Sequence, residues 1–122
     1  MKNDENKNIS VQKWTDELDA VIAAPEHHRV LLENERVRVL ASHVKPGETV
    51  PVHTHSWASV VYVLNSSDFL RYDADGNLIS DSRMMPAEIK DAEVMWLPPL
   101  NPHSIKNIGD TEIRVINFEL KD

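Results

Sequence analysis

The stretch Pro46-Gly47-Glu48-Thr49-Val50-Pro51-Val52-His53-Thr54-His55 carries the most information in this chain. Pro46-Gly47 is a turn signal. The residues after it are rich in Val and Thr, which suit a pleated strand. Successive side chains of a strand point to opposite faces, so a spacing of two aims His53 and His55 the same way. Two such rings stand about 6–7 Å apart along the strand. They can converge on one ion held about 2.0–2.1 Å from each nitrogen. On a helix the equivalent spacing would be four.

Outward from that stretch the chain keeps a β-type texture. His28 to Leu32 and Arg36 to Val44 bracket the polar Glu33-Asn34-Glu35, and Ser59 to Leu64 and Asp68 to Tyr72 follow. Asp73-Ala74-Asp75-Gly76-Asn77 is a hairpin loop leading into Leu78 to Ser82. Met84 to Asp91 is expected to cross the barrel as a loop. Val94 to Leu97, His103 to Ile108 and Glu112 to Leu120 complete the set, with Gly109-Asp110 as the last turn. About eight to ten short strands without βαβ alternation point to a sandwich or closed barrel. In front of them, residues 1–9 are a polar tail. Val11, Trp14, Leu18, Val21 and Ile22 fall on one face of a predicted helix over 10–24, stopped by Pro25. Residues 25–122 form the barrel domain.

A length of 122 residues allows one domain. The net charge of −7, with basic residues scattered among acidic ones, disfavours nucleic acid and anionic membranes as partners. There is no cysteine, so metal chemistry must rest on imidazole, carboxylate and water. Met1 to Asn8 is too polar for a secretory signal, and no apolar run is long enough to span a bilayer, so a cytoplasmic location is expected.

His-x-His alone is a weak signal. Far downstream, Pro98 precedes His103 by five positions and Asn107 follows four later. With these residues the chain resembles the cupin superfamily over about Glu26 to Leu120. Gly47, His53 and His55 match the first cupin motif in place, and Pro98, His103 and Asn107 match the second. The departures are equally plain. The motif's Glu falls on Ser59 or Val60, its following Gly on Ser66 or Ser67, and the two glycines around Pro98 are Ala92 and Leu100.

The resemblance implies an all-β jelly-roll barrel of two Greek keys behind one N-terminal helix, with a divalent transition metal on His53, His55 and His103. Zn, Fe, Ni and Cu all suit imidazole. Without the Glu, three neutral rings would leave the +2 charge of the ion uncompensated by its ligands and coordination positions open. That suits a metal-dependent dioxygenase or isomerase on a small organic substrate. The alternative is a non-catalytic ligand-binding or structural cupin with an empty or degenerate metal site. Whether turnover happens stays open at this point.

Around the triad, His43, Trp57, Tyr62, Trp96 and Asn107 are candidates for the pocket wall or for contacts behind the ligands. Asn107 is expected to hydrogen-bond within the barrel rather than touch the ion. His27 and His28 are expected at the surface or at an interface. Arg38, Arg71 and Arg114 could each pair with a bound carboxylate, although strand arginines more commonly face solvent. A homodimer is expected through Val11 to Ile22 or His28 to Leu32, because small barrels leave sheet edges exposed.

Overall fold

The computed structural model describes residues 15–85 and 89–121. The predicted tail and the predicted helix positions 10–14 lie outside them, as do residues 86–88 of the expected crossing loop. The strands are β1 (His28–Glu33), β2 (Val37–Val44), β3 (Thr49–His55), β4 (Ser59–Asn65), β5 (Phe69–Asp73), β6 (Leu78–Asp81), β7 (Val94–Leu97), β8 (Leu100–Asn107) and β9 (Ile113–Leu120). They form two sheets, β1-β2-β9-β4-β7 and β3-β8-β5-β6, in which every pairing is antiparallel. This is the expected jelly roll. Among the described residues, no helix is long and apolar enough to cross a membrane.

The expected continuous helix over 10–24 is corrected in its described part. A single 3-10 turn spans Asp16–Leu18, and a four-residue helix, α1, spans Ala20–Ala23. The break is at Asp19, which is extended and caps α1 by accepting from the Val21 N–H at 3.2 Å. The same carboxylate holds the guanidinium of Arg38 at 2.9 and 3.0 Å. One side chain cannot cap the next turn and reach across to β2 while its own backbone stays helical.

β8 begins three residues earlier than the sequence suggests, at Leu100. The Pro98-Pro99 pair and Pro102 obscured that start, because proline is a poor central-strand residue. Asn107 ties the two motif segments together. Its backbone N–H donates to the Glu48 carbonyl at 3.0 Å and its carbonyl accepts from Gly47 at 2.9 Å. Its Nδ2 donates to the carbonyls of Val44 and Thr111, and its Oδ1 accepts from Ser67 and Gly109. Gly47 itself has φ +84°, which an L residue rarely adopts. The packed core (Ala24, Val44 and Val50 against Ile105 and Ile113) fills only one part of the interior.

Candidate metal centre and cavity

β3 and β8 are neighbours, and their register sets His53 directly opposite His103. The ladder shifts on both sides of His53, beside Pro51, which has no N–H to contribute. That irregularity turns His55 toward the same point. Ring centroids are 4.5 Å apart for His53–His103, 5.1 Å for His53–His55 and 6.0 Å for His55–His103. The three predicted histidines are therefore neighbours inside the sheet sandwich, with His103 nearer to His53 than to His55.

A fourth ring joins them. His28, the first residue of β1, lies 4.8 Å from His53 and 5.3 Å from His55. Nitrogens of His28, His53 and His55 all lie within 4.8 Å of one another. The surface or interface position expected for His28 is thus corrected: it is buried, with 7% exposure. The short helix explains this, since the last turn of α1 presents the Ala24 carbonyl to His28 Nδ1 at 3.0 Å and folds the ring inward. No local pattern marks this, because the contact depends on how the chain enters β1. His27 is also buried, but its Nδ1 donates to the His43 carbonyl at 2.9 Å, away from the four.

All four rings are anchored the same way. Nδ1 meets an oxygen in each: Ala24 O for His28 at 3.0 Å, Pro51 O for His53 at 2.8 Å, Asn101 O for His103 at 2.6 Å, and Glu119 Oε2 for His55 at 2.9 Å. An oxygen acceptor requires the proton on Nδ1, which leaves the lone pair on Nε2. Burial, reinforced by neighbouring imidazoles, pushes His28 and His53 down to about 3. Burial also pushes His103 down to about 4, with Arg71 adding to the effect. These three rings are neutral at pH 7. Neutral imidazoles with fixed tautomers are the donor set a divalent transition ion takes.

The position of the missing motif Glu has a structural answer. Val60 lies on the outer face, paired with exposed Phe118 and Trp96. Ser59 is buried, and its cross-strand partner on β9 is Glu119, which is 0% exposed. Glu119 accepts from His55 Nδ1 through one oxygen and from Arg38 Nε, at 2.6 Å, through the other. A carboxylate is therefore present one strand away from its usual place, and it acts on the centre through His55. The Arg38–Asp19 pair beside it completes a closed network. In Asp19, burial raises the carboxyl while the hydrogen bond and charge of Arg38 outweigh it and hold the group below its usual range. Sequence reasoning overlooked Glu119, although a signal existed. It shares the inward parity of Val115 and Asn117 along β9, where an acidic residue needs a reason.

Beside the four rings lies a cavity of about 400 Å³. Val61, Val63, Phe69, Met95, Leu97 and Ile105 make its apolar wall, with Arg71, Asn65 and Asn117 among its polar residues. His43 lines it at the rim with Nδ1 3.5 Å from Glu112 Oε2, and stands apart from the four-ring group. Two pocket candidates are corrected. Trp96, 60% exposed, and Tyr62 project from the outer face of the five-stranded sheet, because their parity along β7 and β4 is opposite to that of Met95, Val61 and Val63. Trp57 does not line the cavity either. It stacks between Arg38 and Lys121, whose charges lie 5.0 and 5.4 Å from its ring. Asn107 ties backbone together, as expected.

No family model matches the sequence, and no curated protein does. Solved structures do. A cupin domain from Bordetella pertussis is similar at 25% identity, covering 78% of this chain and 92% of that one, with TM-score 0.63. An RmlC-like cupin from Methanocaldococcus jannaschii with a double-stranded β-helix fold is similar at 14% identity, over 76% and 77% of the two chains, with TM-score 0.54. The polyketide cyclase RemF from Streptomyces resistomycificus is similar at 19% identity, over 97% and 81%, with TM-score 0.54. Motif positions, strand order, converging histidines and these relatives agree: the chain is a small member of the cupin superfamily.

Proposed function

We propose that the protein is a metal-dependent cupin enzyme, with one divalent transition ion on His28, His53, His55 and His103 and a small organic substrate in the adjoining cavity. The observation that carries this is the common anchoring of the four clustered rings, each spending Nδ1 on an oxygen and so leaving the Nε2 lone pair free. Four buried imidazoles clustered together have no purpose in a packed core, where apolar residues would cost less. When bound, the ion supplies a Lewis acid and a place for substrate or dioxygen. Glu119 orients His55 and offsets part of the ionic charge, while the valine-lined wall excludes water.

Dioxygenase chemistry is the better supported activity. Among the described residues, no Asp, Glu, Lys or Tyr lines the cavity to carry a proton, and an oxygenase needs none from the protein. One observation favours isomerase or cyclase chemistry instead: His43 at the rim, facing Glu112, is placed to move a proton, and RemF is named a cyclase. Metal analysis of protein purified without added metal is expected to give one equivalent of Zn, Fe, Ni or Cu. An empty protein that also refuses all four on titration would leave the ligand-binding or structural alternative. Oxygen uptake by the iron-loaded protein with diketones, thiols and phenolic acids supports the oxygenase. Turnover without oxygen that is lost in His43→Ala supports the isomerase.

We also propose a homodimer. Leu32, Val39, Phe118, Val60 and Trp96 form one cross-strand row over all five strands of the larger sheet, on its outer face. Leu32, Phe118 and Trp96 are exposed in that row, as are Tyr62 and Val94 in the next. An apolar row of this kind can pair with its own copy about a two-fold axis, with the charge of Arg114 lying two cross-strand rows beyond Phe118 on the same face. Sedimentation should give a dimer that Trp96→Glu converts to monomer. A wild-type monomer at micromolar concentration would overturn it.

A further inference from the structure

Arg71 is a half-buried cation with no counter-charge among the described residues. It sits in the middle of β5, opposite Ile105 on β8, and so shares the inner face with Ile105 and, two residues along, His103. Its side chain lines the cavity, and its Nε is shut off from solvent with no hydrogen-bond partner among the described residues. No described acidic residue lines the cavity. Asp73, two positions along the same strand, spends its carboxylate on the hairpin, accepting from the N–H groups of Asp75 and Asn77 at 2.9 Å each and from Asn77 Nδ2 at 3.2 Å. Burial lowers the pKa of Arg71, and no described carboxylate acts to raise it. Its charge instead reaches His53 and His103, depressing both after burial and, for His53, the neighbouring rings. A guanidinium keeps its proton under such conditions, so the wall stays cationic.

We infer that the cavity takes a small organic carboxylate, its anionic end paired with Arg71 and its apolar body against the valine, phenylalanine and methionine wall. The position of the far end, at the four histidines, rests on the metal reading above; the pairing with Arg71 does not. One guanidinium matches one negative charge in a planar fork. A phosphate dianion would bring a second charge that no other cavity side chain meets. The volume, about 400 Å³, is near the lower end of the usual range of about 300–1,000 Å³, so the acid is small. Either a simple acid or one bearing a ketone, hydroxyl or thiol satisfies the wall; the second kind also offers the metal a ligand.

Hexanoate and its neutral isostere hexanamide test this by calorimetry, on metal-free and on zinc-loaded protein. Wild-type protein in both forms should prefer the acid about ten-fold or more. Arg71→Gln should reduce the preference to about unity with zinc stoichiometry unchanged, and Arg71→Lys should retain most of it. Retention in Arg71→Lys distinguishes loss of charge from loss of fold. Equal affinity for acid and amide, or no measurable binding of hexanoate, overturns the inference. So does a preference that survives Arg71→Gln, because the carboxylate would then sit on the metal. Failure of the metal reading has a different signature: zinc does not bind, while the Arg71-dependent preference persists in the metal-free protein.

Discussion

Arg38 and Arg71 both reach from a strand into the sandwich, and their surroundings are opposite. Arg38 is held by Asp19 through two bonds and by Glu119 through a third, a closed set of three charges that links the N-terminal segment, β2 and β9. Arg71 faces a cavity of valines and imidazoles with no described acceptor at its Nε. Buried charge with partners fixes geometry; buried charge without them is a cost that folding alone does not recover. The first corner holds His55 in place, and the second wall is open to something that arrives later.

The largest expected effect lies at the paired corner. Arg38→Met should lose about 3–5 kcal/mol of stability in urea denaturation, because Glu119 and Asp19 would be left as buried charges without their partner. A loss of under about 1 kcal/mol would show that the corner is not the structural element described here.

Metal affinity comes next. His103→Ala should weaken zinc binding by roughly 100-fold or more in chelator competition, while leaving a folded barrel. Glu119→Gln should weaken it by about 10–100-fold, the usual loss when a residue behind a histidine ligand is changed. Equal affinity in Glu119→Gln and wild type would break the link from Arg38 through Glu119 to the centre.

The metal-free protein should also lose stability as pH falls below 6.5. His28 and His53 at about 3, and His103 at about 4, lie below the ordinary value of 6.5, so the unfolded chain takes up protons first. Stability from this source is complete above pH 6.5 and disappears as pH falls toward 3–4. For one such ring the loss between pH 7 and pH 5 is about 2 kcal/mol. A flat stability profile over that interval in the metal-free protein would mean that the rings are not buried neutral.

The smallest effect is expected at the unpaired wall. Arg71→Met should change stability by about 1 kcal/mol or less, with gain more natural than loss, since it removes a half-buried charge with no counter-charge among the described residues. A loss matching that of Arg38→Met would erase the contrast between the two arginines.

Much of the fold was legible in short-range pattern. Alternating runs and turn residues located the strands within a few positions, and the spacing of His53 and His55 needed only the period of a strand to put both rings on one face. Where Pro98, Pro99 and Pro102 interrupt that pattern, the start of β8 was hidden. The helix over 10–24 was read from apolar spacing, yet Asp19 breaks it for the sake of Arg38, a contact 19 residues away. Trp96 and Tyr62 were assigned to the pocket by their nearness in sequence to Pro98 and His55, but strand parity places them on the outer face.

The amino-acid sequence by itself determined the class of the molecule, the absence of any thiolate ligand, and three histidines at spacings that match two cupin segments. Those follow from residue type and from the two-residue period of a strand, which act over a few positions. Only the tertiary structure decided that His28 joins the centre, that Glu119 stands across from Ser59 in place of the missing acid, and that Arg71 is left without a described counter-charge. Each of these depends on which strands pair and in what register, a choice made by burial of the whole sandwich rather than by any local run of residues.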